Sequence, residues 1–172
     1  MRFERFNSHF CHALWNKWLL GAGIGSAIPL AGENMAKTYT LSASMRDAFK
    51  TNLNARNHKL VIDEPAEAGG SDAGAQPFEY LMAALAGCTT LTLRAYANHK
   101  KISLDGVDVE ITLTRRDPSE VPQGGKTVVI KKKLKFSDKV PAELRAKLLE
   151  IAGKCPVNKA LLEGCEIAGE VA

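Results

Sequence analysis

The hydrophobic positions change period twice along the chain, from alternation to a helical spacing and back, and these changes set the predicted elements. Tyr39, Leu41 and Ala43 alternate with Thr38, Thr40 and Ser42, and the pattern returns in Phe49, Thr51 and Leu53 and in His58, Leu60 and Ile62. With a turn over Asn54–Asn57, this predicts a three-stranded antiparallel meander. Asp63-Glu64-Pro65 ends it, and the glycine-rich stretch Gly69 to Gly74 is an irregular loop. Between Pro77 and Lys100 the spacing becomes three and four: Phe78, Leu81, Met82, Leu85, Cys88, Thr89, Thr92, Ala95, Tyr96 and His99 share one helix face. Pro77 suits the first turn, where a helix leaves its N–H groups unused. The opposite face carries Ala83, Ala84 and Gly87, small and uncharged, so a central helix covered on more than one side is expected. Gly87 costs about 1 kcal/mol against Ala inside a helix, which predicts close approach by another backbone or a substrate.

Alternation resumes after the helix. Val107, Val109, Ile111 and Leu113 form one face of a strand, with Asp108, Glu110, Thr112 and Thr114 on the other. Its expected partner is Val128 to Phe136, with Val128, Ile130, Leu134 and Phe136 inward and Lys131, Lys133 and Lys135 outward. The two outer faces then carry opposite charge, and such cross-strand pairs contribute roughly 0.2–1 kcal/mol each. Pro141 opens a helix with Leu144, Leu148 and Ile151 inward, ending near Gly153, and a short helix starts at Cys155-Pro156. The tail from Cys165 to Val171 alternates as a last strand, placing Cys165 in the core beside Ile167. Strands and helices in blocks give an α+β fold.

Composition narrows the function. A chain of 172 residues holds one full-sized core, or a smaller domain with an appendage, and 45% hydrophobic with 24% charged residues is ordinary for a globular protein. The net charge of +4 is mild, and the lysines of the second strand alternate with apolar residues, which argues against a nucleic-acid partner. No apolar run is long enough to span a bilayer. Four cysteines with no CxxC pair argue against a zinc site and for reactive thiols in a reducing compartment, the cytoplasm. His9, Cys11 and His12 are close enough in sequence to form a chance metal site.

Residues 1–34 differ from the rest. They hold both tryptophans, and Leu14 to Ala31 resembles an export signal interrupted by Asn16 and Lys17. A simpler account is a start placed too early. Ala31-Gly32-Glu33-Asn34 can be encoded by GCA-GGA-GAA-AAC, a ribosome-binding sequence just before the codon of Met35. The glycines of GAGIGS follow no strand and complete no dinucleotide fingerprint.

The thiols differ in surroundings. Cys88 lies mid-helix, where it is either a small core residue or a nucleophile that needs a cation from elsewhere. Cys155, before Pro156, is the N-cap of a helix, where free N–H groups and the dipole favour a thiolate, with Lys154 and Lys159 adding to the field.

Asp63-Glu64-Pro65, then GG-x-D-x-G at Gly69–Gly74, P-x-E-x-L-x-x-A-L-A-G-C from Pro77 to Cys88, and Cys155-Pro156-Val157 together resemble the OsmC/Ohr family of bacterial thiol-dependent peroxidases. The resemblance covers Met35 to Ala172. It implies an intertwined homodimer in which antiparallel sheets clasp long central helices, with active sites between subunits. It also implies Cys88 as the peroxidatic thiol, Cys155 as the resolving thiol, Arg56 as the activating arginine and Glu79 as the residue that holds Arg56. Asn158 departs from the family, whose members often carry histidine there. The implied reaction is reduction of an organic hydroperoxide, with no bound cofactor and no metal, the protein being restored by an external dithiol such as a lipoyl group. The alternative is a domain of the same fold that binds a small hydrophobic or thiol-reactive ligand without turnover.

Overall fold

The computed structural model describes residues 37–171. The expectations for residues 1–34, including the early start and the His9, Cys11 and His12 group, lie outside them.

The meander forms as β1 (Ser42–Asp47), β2 (Lys50–Ala55) and β3 (His58–Ile62), antiparallel and in that order. The first strand begins later than the alternation predicts. The ladder begins with Ser42 opposite Asn54, so only Leu41 falls opposite the last residue of β2, Ala55, earlier residues run past its end, and Tyr39 and Leu41 lie outside the ladder. Arg56 takes the left-handed conformation (φ 57°) that the two-residue turn between β2 and β3 demands.

The connection from β3 to the long helix is stapled by one carboxylate. Asp63 is 1% exposed and accepts from the N–H groups of Glu64 (2.9 Å), Ser71 (3.0 Å) and Ala73 (3.1 Å) and from the Ser71 hydroxyl (2.6 Å). These bonds, the Ser71 hydroxyl first, hold its carboxyl down from 3.8 to about 2, because they favour the ionised form. Gly70 and Gly74 are required here: a Cβ on either would collide with the backbone carbonyl of Glu64 or Val61.

Helix α1 (Pro77–Lys100) starts with the Glu79 carboxylate accepting from the Gln76 N–H at 2.8 Å, while the Gln76 carboxamide donates to Glu64 at 2.7 Å. Tyr80 ties the first turn to β3 by donating to the Val61 carbonyl at 2.8 Å. Leu85, Thr89, Leu93 and Ala97 are buried on one face. The small face is not covered by the described residues: Ala83, Ala84 and Gly87 are exposed, Leu91 is 70% exposed, and among the described residues nothing packs within 4 Å of where a Gly87 Cβ would be.

The second sheet pairs β4 (Val107–Arg115) with the expected partner β5 (Val128–Phe136), antiparallel, with Val107 opposite Phe136 through Arg115 opposite Val128. Glu110 and Lys133 are cross-strand neighbours with a 4.0 Å ion pair, both largely exposed, so the pair adds little. Helices α2 (Ala142–Ala152) and α3 (Pro156–Glu163) follow. The core joins Leu93 and Ala97 of α1 to Leu104, Val140, Leu148 and Ala152, with Tyr96, Leu134 and Phe136 packed around it.

The last predicted strand does not form. Residues 164–171 are irregular, Ile167 is 89% exposed, and Cys165 is an exposed free thiol and not a core residue. Alternation marks a segment that could enter a sheet, but a strand needs a ladder partner, and β4 and β5 form a two-stranded sheet to which the tail adds no strand.

Candidate active site

The site lies where the middle of α1 meets the start of α3. Pro156 fixes the first helical position of α3 and leaves Cys155 as N-cap, with its sulfur accepting from the Asn158 N–H at 3.3 Å. Cys155 is fully enclosed, at 0% exposure, and also accepts from the Thr89 hydroxyl at 3.9 Å. Cys88 is half-buried one residue before Thr89, and its thiol lies beside Cys155, the Val157 N–H and the Thr92 hydroxyl. Burial pushes the Cys88 thiol above its ordinary range. The Val157 N–H draws it back in part, and the neighbouring Cys155 pushes it further up.

The chain thus brings Cys88 and Cys155 together from separate helices. Arg56 is placed elsewhere, on the exposed turn between β2 and β3, and forms no ion pair among the described residues. Glu79 caps α1 at its first turn, and no bond joins it to Arg56.

Periodicity did not single out Lys132. It shares the register of Ile130 and Leu134, on the inward side of β5, and its ammonium donates to the Ala152 carbonyl (2.9 Å), the Thr89 hydroxyl (3.3 Å) and the Asn158 carboxamide oxygen (3.5 Å). The run Lys131-Lys132-Lys133 hid it, because a run of lysines reads as one solvated face. The even-numbered position was the available signal.

Among the described residues, no group of three or more His, Cys, Asp or Glu side chains is placed to hold a metal ion. None of the helices there is long and apolar enough to cross a membrane. Chemically, the arrangement offers two adjacent thiols, one reachable and one enclosed, which is the layout for a sulfenic acid captured as a disulfide.

The family profile described as OsmC-like protein matches residues 69–169, over half of the chain, and the protein belongs to that family. Its fold is similar to that of an organic hydroperoxide resistance protein OsmC from Legionella pneumophila (22% identity, 74% of this chain and 91% of that one, TM-score 0.54). It is also similar to an OsmC-like protein from Mycoplasma pneumoniae (19%, 74% and 89%, TM-score 0.57) and to the organic hydroperoxide resistance protein OhrB of Bacillus subtilis (23%, 72% and 90%, TM-score 0.52). At these identities the likeness is one of fold. No curated protein sequence matches the chain.

Proposed function

We propose that the protein is a thiol-dependent peroxidase that reduces organic hydroperoxides through Cys88 and Cys155. The observation that carries this reading is the meeting of a half-buried thiol with a fully enclosed one. A peroxide from solvent reaches Cys88 first. The Cys88 thiolate attacks the terminal peroxide oxygen, the O–O bond breaks, and the alkoxide leaves and takes a proton to become the alcohol. Cys88 is then a sulfenic acid. Cys155 attacks that sulfur, the S–O bond breaks, and the departing hydroxide leaves as water with the proton that Cys155 gave up. An external dithiol, of which a lipoyl group is one, supplies the two electrons that restore both thiols. Leu81 and Met82, half-buried one to two turns before Cys88, suit an apolar peroxide better than hydrogen peroxide.

The reading requires a cation at Cys88, because burial disfavours its thiolate. Arg56 is the residue we assign to that task, carried on an unpaired turn and delivered to Cys88 in a homodimer, with Glu79 holding its guanidinium. A second copy has a surface to cover: the small face of α1 with Leu91, and the exposed Met45 and Phe49 of the meander. The compartment would be the cytoplasm, where thiols stay reduced. Ligand binding without turnover is the second reading, favoured by the raised Cys88 thiol and by the absence, among the described residues, of an ion pair holding Arg56.

Cumene hydroperoxide consumption with a dithiol reductant separates the two. Cys88→Ser should abolish turnover, whereas Cys155→Ser should still reduce one equivalent and leave a sulfenic acid that a dimedone probe captures. A wild type that consumes no hydroperoxide, or a fully active Cys88→Ser, would overturn the peroxidase reading.

A further inference from the structure

Among the described residues, Lys132 is a charge without a counter-charge. All three hydrogen-bond acceptors of its ammonium are neutral, and none of the ion pairs among the described residues includes it. An ammonium has only donors, so the Thr89 oxygen must accept from it, which leaves the single Thr89 hydroxyl proton free to point at the Cys155 sulfur. The sulfur also receives the Asn158 N–H at the start of α3. Two donors therefore converge on one enclosed sulfur, and one of them is polarised by a cation.

We propose that Lys132 is a positioning residue that stabilises the thiolate of Cys155 through the Thr89 hydroxyl. The other ionisable groups around it do not do the same work. From α1 comes the Cys88 thiol, from the turn before α3 Lys154, bound to Glu150 at 2.6 Å, and from α3 Lys159, paired with Glu163 at 3.7 Å. Of the charged residues of β4, Asp108 and Glu110 are on the outer face of their sheet, and Arg115, at its last position, lies over the Phe78 ring at 5.4 Å.

The consequence lies in disulfide reduction. The inference rests on the proposed reaction in taking Cys155 as the second thiol. Cys155 is out of reach, so the thiolate of an external dithiol attacks the Cys88 sulfur; the S–S bond breaks and Cys155 departs with the electron pair. The second thiol of the reductant then displaces Cys88 from the mixed disulfide, and the reductant leaves as its own disulfide. A stabilised thiolate is the better leaving group, so Lys132 would speed this first exchange, whose direction the enclosure of Cys155 sets.

The test uses the full chain with Cys11→Ser, Cys88→Ser and Cys165→Ser, leaving Cys155 as the only thiol, and follows its thiolate absorbance against pH with circular dichroism alongside. Lys132→Met should move the midpoint upward, so that the thiolate fraction at the original midpoint falls roughly three- to fivefold. Lys132→Arg should restore the midpoint even where it lowers melting temperature, and Thr89→Val should move it the same way as Lys132→Met by less. An unchanged midpoint in Lys132→Met, an equal shift in the methionine and arginine variants, or ionisation only on unfolding would overturn the proposal. Should Lys132→Met not fold, an unchanged midpoint in Thr89→Val overturns it alone. No peroxide enters the titration, so it fails or succeeds independently of peroxidase activity.

Discussion

Leu93, Leu104, Val140 and Leu148 of the carboxy-terminal half are each less than 5% exposed, whereas in the meander Leu53 alone reaches 9% and Met45 and Phe49 stay above half. Both regions alternate equally well in sequence. The difference is that β4 and β5 have α1 and α2 to pack against, while β1, β2 and the turn between them present apolar side chains that no element among the described residues covers. A sheet face of that kind is where the second copy of the proposed homodimer would pack. The same contrast divides α1 along its axis, one face closed by Leu85, Thr89, Leu93 and Ala97, the other open at Ala84, Gly87 and Leu91.

The largest expected effect belongs to the closed half. Leu148→Ala should cost about 2–5 kcal/mol in urea unfolding, as buried leucine truncations do, whereas Met45→Ala should cost less than about 1 kcal/mol at concentrations where the chain is monomeric. Equal losses would erase the contrast. Next comes Leu91→Arg, which should weaken self-association at least tenfold by sedimentation while leaving the monomer's melting temperature within a few degrees. That magnitude follows from burying a leucine side chain, roughly 1.5–3 kcal/mol. A chain that stays monomeric at tens of micromolar before mutation would remove the surface from consideration.

The smallest effect tests the junction between the two regions. Asp63 has a folded-state carboxyl lowered from 3.8 to about 2, so its contribution is fully present above pH 4 and is lost as the pH falls toward 2. Glu150, held down to about 2 by Lys147 and Lys154, titrates over the same window, so the comparison is best made with Glu150→Gln in both proteins. Asp63→Asn should lower stability at neutral pH and flatten the acid limb. An acid limb of unchanged steepness would assign it to other carboxylates.

These contrasts also explain what could be read in advance. The pairing of β4 with β5, the span of α1 and the N-cap position of Cys155 follow from alternation, three-and-four spacing and a proline, all local signals. Asp63 was legible only as the end of a strand, because all its donors but the Glu64 N–H lie eight and ten residues onward in an irregular loop. Lys132 was concealed in a lysine run, since its acceptors sit on two other elements and on the carbonyl that ends α2. The tail from Cys165 alternates without a strand beside it. Side-chain pattern states which face a residue prefers, and only the three-dimensional arrangement supplies the neighbour.

The complete enclosure of Cys155 makes it a reporter of local opening. A bulky thiol reagent cannot touch its sulfur while α3 is seated on α1, so in a protein whose other cysteines are serine the labelling rate under native conditions measures how often that seat is vacated. The ratio of that rate to the rate in the unfolded chain converts to an opening free energy. If opening is local, that energy should be smaller than the global stability and insensitive to Leu91→Arg; if α3 leaves only when the whole core does, the two energies should coincide.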